Sequence, residues 1–176
     1  MIEVQGLHKS FEGKAVLKNI TTTFERGKTN LIIGQSGSGK TVFLKSLIGL
    51  ITPEQGKIAY DGVCLLELER DEQRELRKAM GMVFQGSALF DSMTVEENVG
   101  FPLEMFTKLS KGEKKDRIDS VLHRVNLIDA HHKYPPEISG GMMKRVAIAR
   151  AIVLNPKYLF CDEPNSGLDP NSYSNR

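Results

Sequence analysis

Residues 34–41 read GQSGSGKT and directly follow the apolar residues 30–33, NLII. They fit the pattern Gly, four residues, Gly-Lys-Ser/Thr, and a β-favouring run precedes the loop while a helical apolar pattern begins at Lys40. Glycines let successive backbone N–H groups turn toward a phosphate, and the opening helix adds unpaired donors and the positive end of its dipole. The alternative is a glycine-rich turn that happens to precede a helix. With strand and helix both predicted in place, the loop predicts binding of a nucleoside triphosphate.

Different groups of this loop are expected to contact different parts of the nucleotide. Lys40 can place a point charge on the β- and γ-phosphates, and the Thr41 hydroxyl can bind Mg²⁺. The candidate nucleotide-binding residues of the loop are Gly34, Ser36, Gly37, Ser38, Gly39, Lys40 and Thr41.

Composition argues against several classes of partner. The 176 residues carry 24 basic and 22 acidic side chains, so no nucleic-acid footprint is indicated. The chain begins without the basic and apolar regions of a signal peptide, and no stretch reaches the roughly 20 apolar residues of a membrane span. Cys64 and Cys161 match no metal spacing, and we expect reduced, buried thiols in a cytosolic protein. Any work at a membrane would go through a partner.

The pattern of residues predicts an α/β core that carries an α subdomain. Predicted strands are residues 2–4, 15–24, 29–33, 57–62, 82–84 and 158–161, and predicted helices are residues 40–50 and 70–78. Residues 86–154 are expected to be helical, with capping boxes at 94–97 and 110–113 and a largely buried helix at 142–154. The division expected is a β-rich core with the phosphate-binding loop (1–85), a helical subdomain (86–154) and a return to the core (155–176).

Two acids, Asp162 and Glu163, follow the apolar run 158–161 at once. Burying charge at the end of a strand is costly unless a cation or water shares the site. Beside a phosphate-binding loop, Asp162 can hold the nucleotide's Mg²⁺, and Glu163 can orient or deprotonate the water that attacks the γ-phosphate. The alternative is a pair of acids in solvent.

A second anion site is predicted at residues 139–141, Ser-Gly-Gly, which follow Pro135-Pro136 and open a helix. Most such sequences are turns and caps. One chain with two phosphate-binding helix ends and one phosphate-binding loop suggests that the second site serves another copy.

Taken in order, these motifs resemble the ATP-binding subunit of ABC transporters over essentially the whole chain. The set comprises the phosphate-binding loop, Gln85, residues 139–142 (SGGM), residues 159–164 (LFCDEP) and residues 166–169 (SGLD). The resemblance implies a P-loop NTPase fold of ABC type with an antiparallel β subdomain and a helical insert. It also implies a magnesium-dependent ATPase in which two subunits pair head to tail with ATP between them.

The resemblance assigns further roles by position. Phe11 would stack on adenine, although a lone phenylalanine at a strand end is more often core packing. Gln85 would sense Mg²⁺ and the attacking water, Ser139, Gly140 and Gly141 would contact the ATP of the partner subunit, and Asp169 would lie at the dimer seam. Glu163, Gln85 and Lys40 are thus the catalytic candidates, and Thr41, Gln85 and Asp162 are the metal candidates.

Two local features narrow the subfamily, and the second is similar to the ATPases of Mla- and Mce-type lipid transporters. The signature begins with Ile138 and ends with Met142, where most ABC ATPases have Leu and Gln. Residues 84–94 read FQGSALFDSMT, with Ser and Gly exchanged relative to that group. The resemblance implies transport of phospholipid or another hydrophobic lipid, with an integral permease and an Mce-domain protein as partners, and a location on the cytoplasmic face of the inner membrane.

The surface for the permease is expected on the helical insert. A predicted apolar cluster there comprises Phe90, Phe101, Leu103, Met105 and Phe106. The alternative is that most of these side chains form the insert's own core. Rival functions are transport of another substrate and a soluble ABC ATPase acting on ribosomes or DNA, although such proteins usually carry two cassettes or a long coiled-coil insertion.

The chain also departs from the family. The family's domain usually continues for about 60 residues beyond the motif at Asp169, with a central strand and a histidine that contacts the γ-phosphate. The four histidines here all precede Asp162. We therefore expect that the C-terminal part of the core sheet is missing, that two sheet edges are exposed, and that an isolated 176-residue chain binds ATP without turnover. The alternative is that another chain or a rearrangement supplies the missing piece.

Overall fold

Residues 1–163 are described by the computed structural model of the chain, and they divide into two units. The first unit ends at Arg77 and the second begins at Lys78. The three-part division expected from the sequence stays a prediction. Among the helices of residues 1–163, none has both the length and the apolar character needed to cross a membrane.

A four-stranded antiparallel sheet organises the first unit. Its strands are β1 (Ile2–Phe11), β2 (Lys14–Phe24), β3 (Gln55–Tyr60) and β4 (Val63–Cys64), in the order β2-β1-β3-β4. The β1–β2 hairpin turns at Glu12 and Gly13, whose φ angles of 49° and 78° suit the tight turn that joins twisted strands. The antiparallel β subdomain predicted from the sequence is confirmed.

Helix α1 (Lys40–Leu47) shares the apolar core of this unit. Phe43, Leu44 and Leu47 are buried, and the ring of Phe43 lies 6.2 Å from that of Phe24 on β2, centroid to centroid. The Tyr60 hydroxyl donates a 2.8 Å hydrogen bond to the Leu47 carbonyl, which ties the end of α1 to β3. Helix α2 (Arg70–Lys78) is charged, as predicted, and buries no residue.

The strand predicted at residues 29–33 is wrong. The backbone of this stretch pairs with no strand of the described chain, and Leu31 and Ile33 are 80% and 85% exposed. Its apolar residues are typical of a buried strand. A strand, however, is stabilised by a hydrogen-bonded neighbour, and residues 1–163 supply none here.

Over its described residues, 78–163, the second unit combines two parallel strands with three α-helices and a short 3-10 helix, Pro135–Glu137. Strand β5 (Met80–Val83) pairs in parallel with β6 (Tyr158–Cys161), with Met80 opposite Tyr158 and Val83 opposite Cys161. The helices are α3 (Val95–Phe106), α4 (Lys111–Arg124) and α5 (Gly140–Ile152). Thr94 and Ser110 form the predicted capping boxes with Glu97 and Glu113.

The core of this unit lies between its helices. It consists of one side of each helix and the loops that connect them, and its fully buried members include Val95, Val99, Val121, Leu122 and Val146. Helix α5 also packs on β5, because a Cβ added to Gly81 would lie 2.3 Å from the Ala151 carbonyl oxygen. Glycine is therefore required where the helix crosses the strand.

Candidate functional site

The phosphate-binding loop is shaped by two glycines with left-handed backbone. Gly37 and Gly39 have φ angles of 76° and 93°, which other residues rarely adopt. Gly39 is the N-cap of α1, and a Cβ there would lie 2.9 Å from the Val16 side chain. No acidic residue stands in the first turn of α1, so the positive end of its dipole is not neutralised locally.

The Lys40 side chain folds back onto the backbone of the phosphate-binding loop. Its ammonium donates hydrogen bonds of 2.9 and 3.0 Å to the carbonyl oxygens of Gly34 and Gln35. A positive charge is thereby held against the backbone of the loop, where it adds to the dipole of α1. Thr41, at the second position of α1, is half-buried, whereas Ser36 and Ser38 are exposed. This arrangement favours an anion with several oxygens.

A second cluster of candidates lies where β5 and β6 end. Because the strands are parallel, their carboxyl ends meet at one edge, and the Asp162 N–H donates a 2.9 Å bond to the Val83 carbonyl just past that edge. The Gln85 side-chain amide donates a 3.3 Å hydrogen bond to a Glu163 carboxylate oxygen. Two catalytic candidates separated by most of the second unit's sequence are therefore neighbours in space.

The oxygen donors at this edge fit a magnesium ion. Asp162 is only 6% exposed, and Gln85 adds an amide oxygen beside Glu163. Magnesium prefers oxygen ligands and commonly takes one or two carboxylates together with substrate phosphates. Among residues 1–163, no group of three or more His, Cys, Asp or Glu side chains forms a dedicated metal cage. The set therefore suits an ion that arrives with a nucleotide.

The thiols correct one expectation. Both cysteines are free, but Cys64 is half-buried and Cys161 is exposed. Cys161 shares the exposed face of β6 with Leu159, whereas Phe160 points to the core. Partial desolvation raises the pKa of the Cys161 thiol. A raised pKa lowers the fraction of thiolate, which is the reactive form of the side chain.

Residues 139–141 form an accessible helix start. The Ser139 hydroxyl accepts a 3.2 Å bond from the Met142 N–H as the N-cap of α5, and Gly140 and Gly141 are exposed. A Cβ at Gly140 would meet nothing within 4 Å. No acidic residue lies in the first turn. A phosphate carried by another molecule could therefore approach these backbone N–H groups.

Phe11 lies at the tip of the β1–β2 hairpin and is 44% exposed. The Lys9 ammonium lies 5.3 Å from the centroid of its ring. The alternative that Phe11 is core packing is wrong, because the end of β1 extends beyond the apolar core. An exposed ring beside a cation is a suitable face for a planar base.

The residues of the predicted apolar cluster on the helical insert differ in how deeply they are buried. Leu103 is 1% exposed and belongs to the core, as the alternative reading expected. Phe90 and Met105 are 42% and 51% exposed, and the ring centroids of Phe90 and Phe101 are 5.0 Å apart. Phe101 and Phe106 are half-buried. Asp169, the remaining candidate, lies outside the described residues.

Two residues that organise the segment after Gln85 were not identified as candidates from the sequence. Asn98 on α3 is completely buried, and Arg150 on α5 donates to the Ser87 carbonyl. A polar residue in the apolar stripe of α3, between Val95 and Val99, was the available signal for Asn98. Arg150 was visible only as an interruption of an apolar helix.

The loop, the helix α1 and the acids after β6 define a P-loop nucleotide-binding protein. A family model described as ABC transporter matches residues 17–166, and the chain belongs to this family. The family and fold expected from the motifs are thus confirmed.

Curated relatives agree with this assignment. The chain is 47% identical over 169 residues to the "Probable ribonucleotide transport ATP-binding protein mkl" of Mycobacterium tuberculosis, covering 96% of this chain and 47% of that protein. It is 43% identical over 173 residues to the "Methionine import ATP-binding protein MetN" of Carboxydothermus hydrogenoformans, covering 97% and 51%. The chain spans about half the length of the curated relatives it matches.

Solved structures give the same fold. The dimeric bacterial ABC transporter cassette MJ0796 matches with a TM-score of 0.88 and 32% identity, over 98% of this chain and 78% of that one. A post-hydrolysis form of the same cassette, described as bound to ADP and Pi, matches with a TM-score of 0.87.

Proposed function

We propose that this chain is the ATP-binding and ATP-hydrolysing subunit of an ABC transporter. The observation that carries the proposal is the contact between Gln85 and Glu163 beside the buried Asp162, in a chain that also has a formed phosphate-binding loop. The first feature provides groups that can handle a water molecule, and the second provides a site for the triphosphate.

Binding is assigned to the first unit. The N–H groups of residues 34–41 and the dipole of α1 hold the phosphates, while Lys40 moves from the carbonyls of Gly34 and Gln35 onto the β- and γ-phosphates. Phe11 stacks on the adenine. Thr41, Asp162 and Gln85 are the ligands proposed for Mg²⁺, which when bound neutralises charge on the phosphates.

Hydrolysis is assigned to Glu163. Its carboxylate, held by the Gln85 amide, orients the attacking water and accepts its proton as the water attacks the γ-phosphate in line. Lys40 stabilises the charge that develops on the transferred group. Ser139, Gly140 and Gly141 of a second copy approach the same phosphate, and Asp169 is proposed to lie at the seam between the copies. The dimeric cassette that matches this chain supports the paired arrangement.

The remaining partners follow from the family. We propose a peripheral position on the cytoplasmic face of the membrane, where the exposed Phe90 and Met105 contact an integral permease. For the cargo we propose phospholipid or another hydrophobic lipid, delivered with an Mce-domain protein, because residues 84–94 are similar to the ATPases of the Mla and Mce group. The relatives' names, ribonucleotide transport and methionine import, provide the competing substrate classes.

ATP binding is tested with Lys40→Ala against Lys45→Ala, which removes a lysine from the other end of the same helix. We expect Lys40→Ala to weaken ATP affinity at least tenfold and Lys45→Ala to leave it within about twofold, because only Lys40 contacts the loop. Equal affinities of the two variants, measured by calorimetry, would contradict the binding role.

Turnover is tested with Glu163→Gln against Glu67→Gln, an exposed glutamate of the first unit. In the complete protein, Glu163→Gln should bind ATP normally but lose about 10²-fold or more of the phosphate release, since an amide cannot accept the proton. Glu67→Gln should release phosphate at the wild-type rate. Unimpaired turnover in Glu163→Gln would remove Glu163 from its assigned role.

The cargo is tested by reconstituting the permease with this subunit. Radiolabelled phospholipid, methionine and a ribonucleotide are offered separately, with ATP or with a non-hydrolysable analogue. ATP-dependent movement of phospholipid alone is the expected result. Movement of methionine or ribonucleotide instead would reject the lipid proposal and leave the ATPase proposal intact.

A further inference from the structure

Three consecutive residues after Gln85 adopt left-handed backbone. Gly86, Ser87 and Ala88 have φ angles of 73°, 67° and 44°. Side chains with a Cβ rarely occupy this region, and strained backbone persists only where surrounding structure holds it. The Ser87 N–H donates a 3.2 Å bond to the Phe84 carbonyl, which closes a tight turn with Gln85 and Gly86 at its centre. Something must hold this turn, and the position of Gln85 depends on it.

Arg150 provides a contact from helix α5. Its guanidinium donates a 3.0 Å hydrogen bond to the Ser87 carbonyl, and its central carbon lies 5.9 Å from the centroid of the Phe90 ring. The arginine is half-buried. A planar guanidinium can donate in its plane and stack with its face at the same time. Arg150 therefore touches the strained turn at Ser87 and the segment three residues later.

Asn98 fixes the far end of the same segment from helix α3. Its side chain is fully buried, accepts a 2.9 Å bond from the Phe90 N–H and donates a 3.1 Å bond to the Phe90 carbonyl. It also donates 3.0 Å bonds to the carbonyls of Met93 and Thr94. Since Phe90 is held on both its polar groups, this end does not depend on Arg150.

A small cavity lies beside the turn, lined by Gly86 and Ser87, by Lys144 and Ile148 of α5, and by Glu163. Arg150 reaches the Ser87 carbonyl from the same helix. Its bond is a directional link from α5 to a turn of strained backbone, and strained backbone keeps its conformation only where neighbouring groups hold it.

We propose that Arg150 is a positioning residue that holds the Ser87 carbonyl and so sets where Gln85 stands relative to Glu163. Its importance for turnover rests on the proposed ATPase function. Arg150 touches no substrate in this role and acts only through the turn. The same helix begins at its cap Ser139, so a shift of α5 caused by a phosphate at its N-terminus would reach Gln85 through Arg150.

The position of the turn is tested first, by hydrogen exchange of backbone amides in the full protein. Arg150→Met should raise the exchange rate of the Ser87 amide at least tenfold while amides in the middle of α3 and α5 keep their protection. Arg150→Lys should restore part of the protection. Arg145→Met is the matched control, because Arg145 lies on the same helix but donates to the Asn126 carbonyl.

Two exchange results would overturn the proposal. One is unchanged protection at Ser87 in Arg150→Met, which would mean that the turn is held without Arg150. The other is loss of protection spread evenly over α3, α5 and the turn, which would make Arg150 a general stabilising residue. Neither result depends on whether the protein hydrolyses ATP.

The action through Gln85 is tested by a double-mutant cycle on ATP turnover. Arg150→Met should lower kcat about tenfold with the KM for ATP unchanged, because misplaced groups affect the chemical step. In a Gln85→Ala background the same substitution should have no further effect. Independent, multiplying effects would overturn the route through Gln85. Absence of turnover in the complete wild-type protein would reject the proposed function, and hydrogen exchange would then decide the role of Arg150.

Discussion

Gly39 is a residue of the phosphate-binding loop where left-handed backbone coincides with a close approach of another strand. It combines a φ angle of 93° with a prospective Cβ position 2.9 Å from Val16 Cγ1 and 3.2 Å from the Val16 carbonyl oxygen. Gly37 has a similar φ angle of 76°, but a Cβ there would meet nothing within 4 Å. Substitutions at the two glycines therefore distinguish the cost of backbone strain, which both positions share, from the cost of steric contact, which arises only at Gly39.

We predict that Gly37→Ala lowers the free energy of unfolding by about 1–2 kcal/mol, the cost of left-handed backbone for alanine. Gly39→Ala should cost at least about 1 kcal/mol more, because β2 must also move away from the new methyl group. Urea unfolding of both variants measures the difference. Equal losses of unfolding free energy in the two variants would show that Val16 moves away from the new methyl group at no cost in stability.

Phe11 allows a test of the proposed adenine contact. Phe11→Ala should weaken ATP binding by about 1–3 kcal/mol, the range for stacking of a base on an aromatic ring, and Phe11→Tyr should keep it. Because the ring is exposed, neither change should disturb folding. Binding of inorganic triphosphate is the control, since it has no base. An equal loss of triphosphate affinity in Phe11→Ala would contradict stacking.

At the level of elements, the start of α4 contains a proton-sensitive cap. The Glu113 carboxylate accepts bonds of 2.7 Å from the Ser110 hydroxyl and 2.8 Å from the Ser110 N–H. These two hydrogen bonds, the hydroxyl's first, hold the pKa of Glu113 below its ordinary value of 4.5. The ionised carboxylate is thus the form that the cap stabilises.

The sign of the resulting pH dependence follows from that lowered pKa. The cap contributes its full stabilisation above pH 4.5, and the contribution is lost as the pH falls through the pKa of the folded state. Ser110→Ala should return the Glu113 pKa toward 4.5, as measured by NMR titration of the carboxyl carbon. Ser120→Ala, an exposed serine on the same helix, should leave it unchanged. A Glu113 pKa as low in Ser110→Ala as in the wild type would contradict the role of the Ser110 hydroxyl.

Where α5 crosses β5, we expect a second pair of glycine substitutions to differ in their effect on stability. In Gly81→Ala the new methyl group would overlap the Ala151 carbonyl, so we expect a loss of at least about 2 kcal/mol of unfolding free energy. Gly112→Ala, on the exposed start of α4 with nothing within 4 Å, should stabilise by up to about 1 kcal/mol through helix propensity. Thermal unfolding of both variants measures the contrast. A neutral Gly81→Ala would mean that α5 can move off the sheet.

For the whole molecule, local patterns in the sequence predicted more than distant pairings did. The capping boxes at 94–97 and 110–113 and the helix 70–78 depend on neighbours in sequence, and all are confirmed. The strand at 29–33 fails because strand formation depends on a partner that apolar residues alone do not specify.

The candidate site shows the same limit. The sequence indicated Glu163 as an acid directly after an apolar strand and Gln85 through the family resemblance, but only the parallel pairing of β5 with β6 shows that they touch. Asn98 and Arg150 were not identified because each acts through hydrogen bonds to backbone carbonyls outside its own helix, Phe90 and Ser87 among them. The partners of such bonds cannot be identified from composition or periodicity.

The pairing of β5 with β6 also constrains how the protein folds. Joining the two strands closes a loop that contains residues 84–157, at an entropic cost of about 4 kcal/mol if that loop were unstructured. The three helices lie within the loop, and their core is made of local contacts that form quickly. Prior folding of the helices shortens the effective loop.

The order of events can be read from folding kinetics. Leu122→Ala, in the helical core, should slow folding, whereas Phe160→Ala, on β6, should mainly speed unfolding. Stopped-flow measurements in urea give both rates, and the reverse pattern would show that the sheet forms first. If the helices lead, Gln85 and Glu163 are among the last groups to meet. Partly folded chains on the ribosome would then have a folded helical core before their Gln85 and Glu163 are in position to hydrolyse ATP.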